Sequence, residues 1–280
     1  MIIFKHINHI SQHLDLLQQS GKLTGFVPTM GALHPGHISL IENARKQSDV
    51  VVSSIFVNPT QFNDPKDFEK YPVTLERDVD MMEKAGCDVL FLPSVKEMYP
   101  QGLNENKHYE LGYLETVLDG AYRPGHFQGV CRVVEKLLTI SHPDKLFLGQ
   151  KDYQQCMVLK KLVELMQIKT AVIICTTQRE KDGLAMSSRN MRLTETNRKK
   201  APLIYGALNF IKNNIAPGDI TAIKKTAVDK LTADGFKVDY IEIADGGTLE
   251  LVENWDGKTP LVALAAAFIN GVRLIDNLLL

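Results

Sequence analysis

The chain has 280 residues, a formal net charge of −1, 44% hydrophobic and 23% charged residues, the balance of a soluble globular protein with room for two domains. A charge this close to zero excludes the broad electrostatic footprint of a nucleic-acid or polyanion binder. The longest apolar run, Leu261 to Ile269, is too short to span a bilayer, and Met1 to His6 leads into polar sequence without the pattern of a signal peptide, so a cytoplasmic protein with no membrane partner is expected.

Residues 1–22 predict a short strand and a helix through Leu14, Leu16 and Leu17 that ends at Gly21. A strand at Gly25–Val27 runs into Pro28-Thr29-Met30-Gly31-Ala32-Leu33-His34-Pro35-Gly36-His37. Ile38, Leu40, Ile41 and Ala44 then recur at helical spacing to about Ser48. This is a strand, a glycine loop and a helix N-terminus, where unpaired N–H groups and a partial positive charge suit phosphate. His34 and His37 add donors that can meet charge developing on a phosphoryl group.

Val50 to Val57 is a β-branched run of the kind found in parallel strands buried on both faces. The segment Asn58-Pro59-Thr60-Gln61-Phe62-Asn63-Asp64-Pro65 follows it and reads as a loop. Ligands of open α/β sheets bind outside the carboxyl ends of strands, which makes Gln61 a candidate contact; a turn residue facing solvent is the alternative. Thr74 is placed to cap a helix to Ala85 that carries Leu75, Val79 and Met82 and stops at Gly86. Cys87 to Pro93 reads as a third strand, and the repeated strand–helix alternation predicts a doubly wound sheet.

From Ser94 to Tyr122 the pattern is weak. Arg123-Pro124-Gly125-His126-Phe127-Gln128-Gly129 is a donor-rich loop before a helix at about Val130–Ile140. Arg123 could clamp a phosphate or carboxylate, or the segment could be a surface turn, and His126 reads as structural or exposed. After a strand at Lys145–Leu148, Gly149-Gln150-Lys151-Asp152 opens a helix from Tyr153 to Met166, repeating the logic of the histidine loop. Lys151 could neutralise phosphate and Asp152 could accept from a ribose hydroxyl; a helix cap beside a solvated lysine is the plainer reading. A β-rich run, Ile168–Thr177, precedes Gln178 to Asn190, which holds arginines, a lysine and adjacent serines that could close over a triphosphate or link two domains.

Beyond Leu193 a helix covers Ala201, Leu203, Ile204, Ala207, Leu208 and Ile211, and a second runs over Ile220–Ala233. Strands follow at Val238–Ile243, Pro260–Ile269 and, shorter, Arg273–Asp276. The expectation is a Rossmann-like doubly wound parallel sheet over residues 1–177 and a smaller α/β domain over 178–280 that closes over the active site. Cys87, Cys131, Cys156 and Cys175 lie far apart in or beside apolar runs, as packed, reduced thiols do.

Taken together, these loops carry a family resemblance. Pro28 to His37 resembles the His-x-Gly-His signature of the nucleotidylyltransferase superfamily, and Met186-Ser187-Ser188-Arg189 resembles its second, mobile phosphate-binding motif. Phe56 to Phe62, Arg123 to Phe127, Gly149 to Asp152 and Asp182 to Asn190 narrow the resemblance to the pantoate–β-alanine ligase family, from about residue 1 to Asn277. The resemblance implies condensation of (R)-pantoate with β-alanine at the expense of ATP, through a pantoyl adenylate, giving pantothenate, AMP and pyrophosphate. It implies Mg²⁺ with the ATP and a homodimer formed through the N-terminal domain.

The resemblance also assigns roles. Met30, Gly31, Ala32, Leu33, His34, Pro35, Gly36 and His37 would line the ATP site, with both histidines at the phosphates. The family usually names the second histidine, here His37, as proton donor; stabilisation of charge on the transferring group is the more conservative role. Gly149, Gln150, Lys151 and Asp152 would meet ATP, Lys151 at phosphate and Asp152 near the ribose, and Met186, Ser187, Ser188 and Arg189 would meet it from the other side. Gln61 and Gln155 would hold pantoate, Gln61 close to β-alanine, with Asn58, Tyr71 and Arg123 as further candidates. Gln178 would touch the nucleotide through its backbone, although it replaces an aliphatic residue, and Gln150 stands where relatives carry Glu. A plain nucleotidylyltransferase and a non-catalytic nucleotide sensor are the competing readings.

Overall fold

The structure is a computed structural model that describes residues 1–62, 68–69, 71–103 and 107–280. Asn63 to Pro65 of the expected loop therefore lie outside the described residues. Strands β1 (Ile2–Phe4), β2 (Thr24–Thr29), β3 (Val50–Ile55), β4 (Val89–Phe91), β5 (Lys145–Gly149) and β6 (Ala171–Cys175) form one sheet in the order β1-β4-β3-β2-β5-β6. All its pairings are parallel.

Side chains along these strands alternate between two cores, as the pleat requires. Phe26, Val50, Val52, Leu146 and Leu148 pack on one face with helices α1 (Ile7–Gln19), α6 (His126–Ser141) and α7 (Tyr153–Leu165). Val27, Val51, Ile55 and Phe147 pack on the other, under α2 (Pro35–Gln47) and α3 (Leu75–Lys84). The β-branched β3 is buried at each of its positions for this reason.

The strand order reverses between β2 and β5, so their carboxyl ends flank a crevice. The histidine loop leaves β2 on one side of that crevice, and Gly149–Asp152 leaves β5 on the other. Between them in the chain lie two short helices, α4 (Val95–Met98) and α5 (Leu118–Tyr122).

The C-terminal part holds helices α8 (Glu195–Lys200), α9 (Leu203–Asn214) and α10 (Thr221–Ala233) and an antiparallel sheet, β11-β10-β8, made of β8 (Lys237–Asp245), β10 (Leu261–Ile269) and β11 (Val272–Leu279). A small ribbon pairs β7 (Gly218–Asp219) with β9 (Asn254–Trp255). One face of the larger sheet, with Ile241, Ile243, Ala263, Ala265 and Ala267, packs under α9 and α10. Ala244, Val262 and Leu264 on the opposite face join the core of the parallel sheet. The two units thus share apolar packing.

The elements differ from the sequence expectation where a local signal was outweighed. The single helix expected from Thr194 is two, because Pro202 lacks an N–H and its ring clashes with the carbonyl a turn earlier. Helix α6 begins at His126, after a left-handed Gly125 at φ 77°. The short strand at Arg273–Asp276 extends from Val272 to Leu279, held by antiparallel pairing to β10 that no local pattern reveals. Thr74 precedes α3, but its hydroxyl accepts no helix N–H and instead donates to the Asp78 carboxylate.

Candidate active site

The histidine loop is shaped by groups that the loop does not itself contain. Asp78 of α3, almost fully buried, accepts the N–H groups of Ala32 and Leu33 at 2.8 Å each. Ala32 is held at φ 50°, a left-handed conformation unfavourable for a residue with a Cβ. Ala32 and Leu33 are themselves buried, so the expectation that every residue from Met30 to His37 lines the ATP site narrows there: these two set the loop's path and their amides are already engaged.

His34 is the N-cap of α2. Its Nδ1 accepts the Gly36 N–H at 3.2 Å, and the Nδ1 of His37 accepts the His34 N–H at 3.3 Å. A backbone N–H can only donate, so both imidazoles carry their proton on Nε2. The rings lie 4.0 Å apart. A Cβ on Gly36 would come within 2.8 Å of the His34 ring, which is why glycine stands between the histidines. Burial, the neighbouring His37 and the Lys151 charge lower the pKa of His34 to about 3; burial and Lys151 lower that of His37 to about 4. At neutral pH the pair is therefore two uncharged Nε2–H donors at a helix N-terminus. This geometry fits charge stabilisation better than proton donation by an imidazolium.

Across the crevice, Gly149 leads into a short turn, Gln150–Asp152, and then α7. The Lys151 side chain is largely buried, and its Nζ lies 3.8 Å from Asp152 Oδ1. That carboxylate is too distant for a tight ion pair and leaves the ammonium free to meet an anion. Gln155 follows one turn into α7, on the same cavity.

The third wall is the segment after the hairpin whose strands meet at the Arg179–Ala185 bridge. Gln178, expected to touch the nucleotide through its backbone, accepts the Met186 N–H at its carbonyl within this hairpin. Ser187 caps the turn Ser188–Arg192 by accepting the Arg189 N–H at 3.3 Å, and Ser188 Oγ donates to the Ala32 carbonyl at 3.1 Å. The serine motif is thereby tied directly to the histidine loop. Tyr71 hydrogen-bonds Ser188; burial raises its phenol pKa, an effect opposed by the Arg189 guanidinium. Tyr71 thus joins the serine–arginine wall, and its ring also meets that of Phe62, the neighbour of Gln61, at 5.9 Å.

A cavity of about 530 Å³ adjoins these walls and is lined by Met30, Gln61, Arg123, Lys151, Gln155 and Arg189, with Asp152 and Ser187. The half-buried histidines sit beside the cavity, outside its lining. Gln61 lies in the turn Pro59–Gln61 at the end of β3, with Nε2 2.9 Å from Met30 Sδ. Asn58, expected as a direct contact, is wholly buried: Nδ2 reaches Gln61 Oε1 at 3.3 Å and the Gly129 carbonyl at 3.2 Å, and Oδ1 accepts from the Tyr99 hydroxyl at 2.9 Å. It braces Gln61 from behind and has no surface to offer a ligand.

His126, expected to be structural or exposed, is buried and also lines the cavity. Its Nδ1 lies 2.9 Å from the Gln61 carbonyl and so carries the proton, leaving Nε2 to accept from Arg123 Nη1 at 3.1 Å. Burial and the Arg123 charge lower its pKa to about 4. The sequence does not mark Asp78, His126, Gly129 or Asn277 as groups that shape the site, although His126 and Gly129 stand in the Arg123–Gly129 loop, because their partners are distant in the chain.

Among the described residues no group of three or more His, Cys, Asp or Glu side chains converges on a point. Asp152 offers one carboxylate at the cavity, whereas Asp119 and Asp239 are engaged by Arg273 at 2.6 and 2.8 Å and Asp276 by Arg179 at 2.6 Å. A divalent cation arriving with ATP would fit here with phosphate and water ligands and at most Asp152 from the protein.

The family model "Pantoate-beta-alanine ligase" matches residues 2–279. A pantothenate synthetase of Cytophaga hutchinsonii is 44% identical over 283 aligned positions, covering 100% of this chain and 99% of the relative. The pantothenate synthetase structure from Thermus thermophilus superposes with a TM-score of 0.91 at 38% identity, covering 99% of both chains. The pantoate-beta-alanine ligase structure from Francisella tularensis, complexed with beta-gamma ATP and beta-alanine, superposes at 0.82 and 41% identity, covering 100% of this chain and 97% of that one. Motifs, fold and whole-length similarity converge, and the chain belongs to the pantoate–β-alanine ligase family.

Proposed function

We infer that the protein condenses (R)-pantoate with β-alanine, converting ATP to AMP and pyrophosphate. The observation that carries this reading is the meeting of three phosphate-suited walls, His34–His37, Lys151 and Ser187–Arg189, beside a cavity furnished with Gln61 and Gln155.

A carboxylate is a poor acyl donor, so it must first acquire a leaving group. A pantoate carboxylate oxygen attacks the α-phosphorus of ATP, and the bond to the bridging oxygen breaks to release pyrophosphate. The β-alanine amine then attacks the acyl carbon of the mixed anhydride; the acyl–oxygen bond breaks, AMP departs, and the amine nitrogen loses a proton. In the first step negative charge spreads over the transferring phosphoryl group and the leaving pyrophosphate. The Nε2–H groups of His34 and His37, the α2 N-terminus and the Lys151 ammonium are suited to oppose that charge. Gln61 and Gln155 would orient pantoate, and Arg189 and the serines would hold phosphate from the third side.

Mg²⁺ is part of this reading; it would supply further charge neutralisation at the phosphates, with the Asp152 carboxylate 3.8 Å from the Lys151 ammonium. So are a homodimer through the N-terminal part, a functional division near residue 177, and a cytoplasmic setting. The last is supported by four buried free cysteines; no helix among the described residues is long and apolar enough to cross a membrane.

The deciding experiment is exchange of labelled pyrophosphate into ATP without β-alanine. Exchange that requires pantoate, followed by pantothenate formation when β-alanine is added, is expected. Pantoate-independent exchange, or an adenylate that no amine consumes, overturns the reading.

A further inference from the structure

Strand β11, at the edge of the C-terminal sheet, carries Asp276 and Asn277 side by side, and both are buried. Neighbouring strand residues point to opposite faces, so the two side chains reach different parts of the site. Asn277 reaches the turn that carries Lys151. Its Nδ2 donates to the carbonyls of Gln150 and Lys151 at 2.8 and 2.9 Å, and its Oδ1 accepts from Gln150 Nε2 at 3.1 Å.

Asp276 holds the other wall. Its carboxylate accepts the two terminal guanidinium nitrogens of Arg179 at 2.6 and 3.0 Å. Arg179 also donates to the Gly183 carbonyl at 3.0 Å and to the Asn277 carbonyl at 3.2 Å, and its guanidinium stacks 3.8 Å over the Tyr205 ring. Residue 179 is half of the Arg179–Ala185 bridge, and the hairpin it anchors continues into Ser187 and Arg189.

We propose that the Asp276–Asn277 pair sets the placement of Lys151 relative to the Ser187–Arg189 loop, and that Asn277 is a positioning residue acting on adenylation through Lys151. This rests on the reading of Lys151 as a phosphate ligand. The ammonium sits at the end of a flexible stem, so its resting place depends on the backbone at 150–151. That backbone forms a short turn with no side-chain cap of its own. A single primary amide satisfies two carbonyls and a glutamine donor there, a combination that uses both of its N–H donors and its one oxygen. Removing it takes this donor from two part-buried carbonyls and frees the turn to shift.

The test is pantoate-dependent pyrophosphate–ATP exchange by the full chain at saturating substrates, in a cycle of wild type, Asn277→Ala, Lys151→Ala and the double variant. Thermal melts are run in parallel, and rates are taken well below each transition. Asn277→Ala is expected to slow exchange by about 10- to 100-fold, the scale of a misplacement near 1 Å. In the Lys151→Ala background the same substitution is expected to change the rate by less than about threefold, because no ammonium remains to be positioned. A full Asn277 effect in that background, or an unchanged rate for Asn277→Ala alone, overturns the proposal. A normal rate for Lys151→Ala overturns the phosphate reading of Lys151, and the coupling falls with it; that failure is distinguishable because it appears in the single lysine variant. Should Asn277→Ala not fold, Asn277→Ser enters the same cycle. Its hydroxyl can hold one carbonyl but not both, and loss of rate only where Lys151 is present is again the supporting result.

Discussion

The carboxylate of Asp78 accepts the Leu33 N–H at 2.8 Å across 45 residues of sequence. A second oxygen takes the Ala32 N–H at the same distance, and the Thr74 hydroxyl donates to both oxygens. The most strained residue of the histidine loop, Ala32 at φ 50°, is thereby held by a charge-assisted clamp from another helix.

Asp78→Asn keeps the shape but turns one acceptor into a donor that faces an N–H or the Thr74 hydroxyl. It should lower stability by about 2 kcal/mol, the scale of a lost hydrogen bond to a charged group. Adenylation should slow at least about tenfold through misplacement of the loop. Urea unfolding and pyrophosphate exchange measure the two effects. Wild-type values in both would remove Asp78 from the account.

The imidazole pKa values, about 3 for His34 and about 4 for His37 and His126, lie below the ordinary 6.5. Between these values and 6.5 the unfolded chain binds protons that the folded chain does not, so folding stability decreases as pH falls through this window. Above about pH 7 these groups contribute no pH dependence. Unfolding free energies measured from pH 7.5 to 4.5 should decline, and His126→Gln should flatten the decline. A stability that rises on acidification would contradict the assignment.

The same tautomers give a prediction for catalysis. If His37 acts through an uncharged Nε2–H, the amide nitrogen of Gln can stand near that position, whereas that of Asn corresponds to Nδ1. His37→Ala should slow adenylation by about 100-fold or more. His37→Gln should retain more activity than His37→Asn, and a rate profile over pH 5.5–8 should show no histidine ionisation. Equal rates for the two amides would indicate that Nε2 is not the working atom.

Gly129 tests how Gln61 is held. A Cβ there would stand 2.2 Å from the Thr60 carbonyl, in the turn that carries Gln61. Gly129→Ala must push helix α6 and this turn apart, at a cost of about 1–3 kcal/mol, and should raise the pantoate KM. Gly206, inside α9 with nothing within 4 Å of its added Cβ, is the control. Gly206→Ala should be neutral or stabilising by up to about 1 kcal/mol. A Gly129→Ala variant with normal stability and KM would show that the turn has slack that the packing denies.

The sequence by itself determined the strand–loop–helix segments and the residue types at their junctions. Apolar periodicity placed β3, α2 and α7 because each buries a continuous stripe, and glycine followed by histidine or lysine marked where a strand end meets a helix start. Gln61, Lys151 and Arg189 were legible because they lie inside such loops. What remained hidden was every relation between distant segments. Pro202 splits a helix whose apolar stripe continues on either side of it. Asn58 looked like a ligand contact until Tyr99 and Gly129 enclosed it. Asp78, His126 and Asn277 acquired meaning only when folding brought them to backbone groups 46, 65 and 127 residues away. Local pattern reports burial of each segment against some core. Only the tertiary structure decides which polar groups, removed from water together, must satisfy one another.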